Sequence, residues 1–157
     1  MSFSHINKKN RPKMVDVSGK AVTKRRAIAK ATVFLGAEVI SYFENDELLT
    51  KKGPVFQTAI IAGIQAVKKT SEIIPMCHPL LINGIDVNIH IADSEHIEVF
   101  CKVTIEGKTG VEMEALHGIS AACLTIYDMC KSISKEIVIK EIKLVEKTGG
   151  KSDVKLM

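Results

Sequence analysis

The sequence predicts an α+β fold, with helices packed on one face of an antiparallel sheet, and three observations carry that expectation. The run Ile85-Asp86-Val87-Asn88-Ile89-His90-Ile91 alternates strictly, Asp93-Ser94-Glu95 supplies a turn, and His96 to Ile105 returns as its partner strand. Two longer stretches, Pro54 to Ile73 and the one that runs from Thr109 to Leu116 and on through Thr125 to Lys131, carry helical signals. The resulting order is strand, helix, strand, strand, helix, strand.

Taken in turn, residues 1–13 read as a disordered N-terminal segment, polar and broken at Asn10-Arg11-Pro12, and residues 14–157 as a single domain with a flexible C-terminal tail. Structure begins with Met14-Val15-Asp16-Val17. Ala27 to Leu35 partly alternates and ends in β-branched and aromatic residues before Gly36, which predicts a strand despite its alanines. Glu38 to Asn45 reads as a short helix and Pro54 to Ile73 as a long one, with Pro54 in its first turn and Pro75 as its stop. Ile137 to Val145 is the last strand. In the central hairpin Asp86, Asn88 and His90 face outward, toward water or another subunit.

A chain of 157 residues, 46% of them hydrophobic, builds one sizeable core, and with 4% aromatics and no Trp that core is aliphatic. No apolar run reaches the length of a membrane span and the first residues lack the apolar stretch of a secretory signal, so a cytoplasmic location is expected. Cys77, Cys101, Cys123 and Cys130 form no CxxC pair, which speaks against a zinc site and a disulfide framework. The net charge of +4 comes without a basic run interleaved with aromatics, which speaks against nucleic-acid binding.

On the second long helix, Leu116, Ile119, Cys123, Ile126, Tyr127, Cys130 and Ile133 gather on one side at about 100° per residue. Asp128 projects from roughly the opposite side with Lys131 about 60° away, so the two touch, as a surface ion pair or as an acid–base pair. Glu112 and Glu114 point the same way only where an extended segment enters the helix, a place that also favours a carboxylate. His78, between Pro75 and Pro79, is either an exposed bystander or a rigidly held ligand contact. Lys51-Lys52 precedes Gly53 and a helix start, where cations and free amides hold phosphate. Gly149-Gly150-Lys151-Ser152 is not a phosphate loop: Val145 stands where that motif needs Gly, and no helix can follow. A glycine-hinged tail carrying Lys147 and Lys151 that closes over an anion suits it better.

Seven blocks in order, Met14-Val15-Asp16-Val17-Ser18, Lys52-Gly53, Ala62-Gly63-Ile64-Gln65-Ala66, Ile74-Pro75-Met76-Cys77-His78-Pro79-Leu80, Lys108 to Leu116, Leu124 to Lys131 and Lys147 to Ser152, resemble the cyclic pyranopterin monophosphate synthase family of molybdenum cofactor biosynthesis. The resemblance implies a ferredoxin-like architecture. It also implies conversion of 3′,8-cyclo-7,8-dihydroguanosine 5′-triphosphate to cyclic pyranopterin monophosphate, with release of diphosphate. It carries substrate contacts onto Met76, Cys77, His78, Met113 and Glu114, and the handling of triphosphate and chemistry onto Arg25, Lys52, Lys131 and Lys147. A homo-oligomer, a hexamer built from dimers with shared sites, is implied as well.

On that footing Asp128 and Lys131 are the expected catalytic pair, with Lys131 surrendering its proton readily in a dry pocket. Glu114 holds an N–H edge of the ring, Glu112 stands beside it, and Lys52, Arg25 and Lys147 neutralise phosphate charge. No resident metal is expected, although Mg²⁺ can accompany a triphosphate. The competing expectation is a non-catalytic α+β module that senses a nucleotide or bridges partners, with Asp128–Lys131 as a plain surface pair.

Overall fold

The structure is a computed structural model and describes residues 5–7 and 9–156. Its strands are β1 (Thr23–Phe34), β2 (Leu49–Thr50), β3 (Gly53–Pro54), β4 (Gly84–Ile91), β5 (His96–Gly107), β6 (Val138–Thr148) and β7 (Val154–Lys155). Its helices are α1 (Ala37–Ile40), α2 (Val55–Lys68), α3 (Thr70–Ile73) and α4 (Glu112–Cys130). Five strands form one antiparallel sheet in the order β4-β5-β1-β6-β7, the α+β, ferredoxin-like arrangement that the element order predicts.

Period-2 alternation in β1 and β5 makes one face of this sheet. Ala27, Ala29, Ala31 and Val33 from β1 and Ile97, Val99, Cys101, Val103 and Ile105 from β5 are buried under the helices. The alanines of β1 are small because α4 crosses them, which is why low strand propensity does not disturb the pairing. The helices α2 and α4 approach closely through Gly63 and Gly118. A Cβ on Gly118 would lie 2.5 Å from Val67 Cγ2 and 2.9 Å from Cys101 Sγ. Ile119, Cys123, Ile126 and Cys130 of the apolar stripe are buried, while Tyr127 at its margin stays partly exposed. The opposite sheet face is open in the single chain. Asp86, Asn88 and His90 are exposed there, and Lys30–Glu98 (2.6 Å) and Lys102–Asp86 (3.1 Å) bridge neighbouring strands.

Several boundaries differ from expectation. The helix expected over Pro54 to Ile73 is two: α2 ends where Lys69 adopts φ −105°, ψ 10°, and α3 follows for one turn. Buried Thr70 secures the break, its Oγ1 lying within hydrogen-bond distance of the Ala66 and Val67 carbonyls and of His117 Nδ1. Pro54 is not in the first turn but just before it, extended, in a two-strand hairpin with Leu49. The short helix stops at Ile40 rather than Asn45, because Asn45 and Asp46 take positive φ (50° and 59°) in a tight turn between bridged Glu44 and Glu47. Val15 and Val17 gain no ladder partner among the described residues.

Within residues 5–13 the described part folds into a local turn, with Ile6 bridged to Pro12 and Lys13 N–H on the His5 carbonyl (2.9 Å). Residues 1–4 and 8, included in the expectation of disorder, lie outside the described residues, as does Met157 of the tail. The tail turns back after Gly149, and β7 pairs with Glu146 and Lys147.

Candidate functional site

At the N-terminal end of α4 three main segments, with His5 of the N-terminal turn, line a cavity of about 350 Å³. The loop after α3 supplies Met76, Cys77 and His78, the entry to α4 supplies Thr109, Gly110, Glu112, Met113 and Glu114, and the segment before β1 supplies Val15, Val17 and Lys20. Pro75 forces Ile74 out of helical geometry (φ −99°, ψ 106°), and the Cys77 amide donates back to the Ile74 carbonyl (3.0 Å) to tighten the loop. His78 Nε2 lies 2.7 Å from the Val15 carbonyl; a carbonyl only accepts, so this nitrogen carries the proton.

Glu114 is only 4% exposed. Burial pushes its carboxyl above the usual carboxylate range, a hydrogen bond from its own amide opposes this, and the Glu112 charge adds to it. Cys77 has its thiol pushed up by burial and then by the Glu114 charge, so it stays protonated and is poorly suited to act as a nucleophile. Glu112 turns the other way and pairs with Lys147 Nζ (3.2 Å).

A second cavity of about 140 Å³ adjoins the first and shares Lys20, Gly110 and Glu112 with it. Lys20, Arg25, Arg26, Lys147 and Lys151 line it together with the carboxylate of Glu112, and the Arg26 guanidinium is paired with Glu146. Arg25 is held by Nε–H donating to the Gly107 carbonyl (3.1 Å). Gly149, at φ 81°, lets the end of β6 rest on β1: a Cβ there would lie 2.0 Å from the Lys24 carbonyl oxygen. That close approach brings Lys147 and Lys151 beside Arg25. Sequence reasoning found Arg25, Lys147 and Lys151 but missed Lys20 and Arg26. The adjacent Gly19-Lys20 turn and the Arg25-Arg26 pair at a strand start were the available signals.

Asp128 and Lys131 lie elsewhere. Lys131 Nζ and Lys52 Nζ each sit 2.6 Å from an Asp128 carboxylate oxygen, and Lys52 also donates to the Asp128 carbonyl (3.2 Å) at the last turn of α4. At 1.5 Å per residue this trio is about 21 Å along α4 from Glu114. The side chains of Asp128 and Lys131 are each 51% exposed, so the dry pocket expected around Lys131 is absent from the single chain. The direction of its pKa is corrected too. Hydrogen bonding to Asp128 raises that of Lys131, while Lys131 and Lys52 together hold Asp128 down at about 2.

Lys52 therefore does not join Arg25 and Lys147 within one chain. Nor are the amides at the start of α2 free for phosphate, because the Glu47 carboxylate accepts from Phe56 N (2.9 Å) and Gln57 N (3.1 Å). A carboxylate is favoured at that dipole end, and Glu47 fills the place that the Lys51-Lys52 reading assigned to a ligand.

The single chain thus presents a cavity of about 350 Å³ with a buried carboxyl, an adjoining cation-lined recess, and a separate exposed Lys–Asp–Lys cluster. Among the described residues no group of three or more His, Cys, Asp or Glu side chains is placed to hold a metal ion, and no helix is long and apolar enough to cross a membrane. The family model described as the MoaC family matches residues 14–150. The chain is 54% identical, over 97% of its length, to the molybdenum cofactor biosynthesis bifunctional protein of a Synechocystis species, of which it spans 45%. It is 48% identical to molybdenum cofactor biosynthesis protein 1 of Dictyostelium discoideum, of which it spans 26%. It is 53% identical to the cyclic pyranopterin monophosphate synthase of Helicobacter hepaticus, and there the match covers 97% of this chain and 95% of the relative. A match reaching from the segment that closes the larger cavity to the glycines of the cationic recess, with relatives this similar, shows that the chain belongs to the MoaC family.

Proposed function

We propose that this chain is a cyclic pyranopterin monophosphate synthase, a lyase of the phosphorus–oxygen type. It acts on 3′,8-cyclo-7,8-dihydroguanosine 5′-triphosphate in molybdenum cofactor biosynthesis and releases diphosphate. The observation that carries the reading is the pair of adjoining cavities, one with a buried carboxyl and apolar lining, the other with five cations. A guanine-derived ring with a triphosphate needs such a pair. Glu114 takes an N–H edge of the ring, and His78, Met76, Cys77 and Met113 contact it. Arg25, Lys147, Lys20, Arg26 and Lys151 take the phosphates.

Closing the cyclic phosphate forms one bond from a substrate oxygen to the α-phosphorus and breaks the bond to the diphosphate, which leaves with the electron pair. Cations fixed where that charge develops lower the barrier. A Mg²⁺ would arrive with the triphosphate as part of the substrate. We place the chemistry in the cytoplasm.

The proton transfers fall to Lys131 and Asp128, which are about 21 Å along α4 from Glu114 and so beyond the cavity of their own chain. We infer that a homo-oligomer, a hexamer built from dimers, brings the Lys52–Asp128–Lys131 cluster of one chain to the cavity of another. Covering the cluster would desolvate Lys131, which lowers its pKa and opposes the rise that Asp128 causes, and a substrate group that takes over Asp128 would free Lys131 for proton transfer.

The test is incubation of the pure protein with the cyclised triphosphate, reading pterin fluorescence after oxidation together with diphosphate. Turnover supports the enzyme. Tight binding without turnover by folded, oligomeric protein supports the nucleotide-sensing module instead.

A further inference from the structure

The block Met14-Val15-Asp16-Val17-Ser18 has no role in the chemistry above, yet it closes one side of the larger cavity. Among the described residues it has no ladder partner and is fastened by side chains reaching its carbonyls. His78 Nε2 lies 2.7 Å from the Val15 oxygen, and Lys108 Nζ donates to the Ser18 oxygen at 2.6 Å. Asp16 accepts from the Ser18 amide (2.8 Å), which sets the turn at the end of this strap.

Exposure along the strap alternates. Val15 and Val17 are half-buried and line the cavity, while Met14, Asp16 and Ser18 are exposed. An extended segment places such alternate side chains on one face, roughly 7 Å apart, about the span of a fused bicyclic ring. The polar groups of the same cavity, Glu114 above all, recognise edges; the two valines offer a flat apolar face.

The geometry points to Val15 and Val17 as specificity-determining residues: the face of the substrate ring lies against them, and Lys108 holds the strap that presents them. This rests on reading the larger cavity as the ring pocket. A branched apolar contact is worth about tenfold or more in discrimination between ligands.

The test uses 6-hydroxymethylpterin as a fluorescent probe of the ring pocket and inorganic triphosphate as a probe of the cationic recess, with the whole oligomer. Val15→Ser and Val17→Ser should each weaken pterin binding by about tenfold and leave triphosphate binding and the thermal midpoint unchanged. With the cyclised triphosphate as substrate, KM should rise more than kcat falls. Lys108→Met, which alters no cavity wall, should weaken pterin binding several-fold by loosening the strap. Valine variants that bind pterin like the wild type, or that lose both probes together, would overturn the assignment, as would a wild type that does not bind pterin. Failure of the enzymatic reading shows separately, as absent turnover by a wild type whose pterin binding still depends on both valines.

Discussion

The two ends of α4 treat charge in opposite ways. At the first turn Glu114 is 4% exposed in a cavity wall, and burial raises its pKa. At the last turn Asp128 is half in water between two ammonium groups, and its pKa falls to about 2. In the proposed function the N-terminal end holds the ligand: its carboxyl costs folding energy where it is ionised, and a bound N–H would offset that. At the C-terminal end the charges satisfy each other. Lys52 and Lys131 offset the negative end of the helix dipole as well as the Asp128 carboxylate. A reactive cluster this well solvated has the groups for proton transfer but lacks the dry surroundings, which is why the proposed function needs a second chain.

The largest expected effect comes from the C-terminal end. Lys131→Ala or Asp128→Asn should lower kcat by about a hundredfold or more. The thermal midpoint should move little, because neither position belongs to the core. Near-normal turnover by either variant would return the cluster to a plain surface ion pair.

Glu114→Gln should weaken binding of the cyclised triphosphate by about tenfold, and its stability effect should have the opposite sign. The folded pKa of Glu114 is raised, so its contribution is fully present below the unfolded value of 4.5 and lost as pH rises through the folded value. At neutral pH the variant should therefore melt higher than the wild type, and the gain should vanish on acidification below pH 4.5. Thermal melts across pH, paired with calorimetric titration, check both signs.

The sheet and the content of the cavity were legible because they rest on local pattern and on blocks of contiguous sequence. Strict alternation identifies β4 and β5, and Met76 to His78 and Glu112 to Glu114 arrive as two short runs that the fold needs only to juxtapose. What was not legible depends on contacts between distant residues. Glu47 reaches the start of α2 across the hairpin, and that displaces the phosphate reading of Lys52. Thr70 breaks the long helix through a bond to His117 on α4. The separation of Asp128 from Glu114 was present in the numbering, 14 residues apart on one helix, whereas the pairing of Lys52 with Asp128 inside one chain was not, because it depends on the hairpin before α2 reaching the last turn of α4.

Smaller effects sharpen the cation-lined recess that adjoins the N-terminal end. Gly149→Ala adds a Cβ against the Lys24 carbonyl at positive φ, so it should cost about 1–3 kcal/mol of stability and weaken inorganic triphosphate binding by displacing Lys147 and Lys151. Unchanged melting and binding would mean that the β1–β6 approach does not shape the recess. The smallest effect is at Lys52. Lys52→Met removes one of the two ammonium groups on Asp128, so its pKa should rise from about 2 toward the ordinary value of 3.8, as read by carboxyl chemical shifts. The stability linked to Asp128 is present above 3.8 and lost as pH falls through about 2, and at so exposed a site it should be small.

The central claim is that one working site combines the cavity of one chain with the Lys131 cluster of another, and mixed assembly tests it most directly. Lys131→Ala and His78→Ala chains, each inactive alone, are dissociated together and reassembled, with mixing verified by mass. The account expects activity to return to a fraction of the wild-type value, because some mixed sites then contain both native groups. Verified mixed oligomers with no recovered activity would contradict it, as would a fully active monomer.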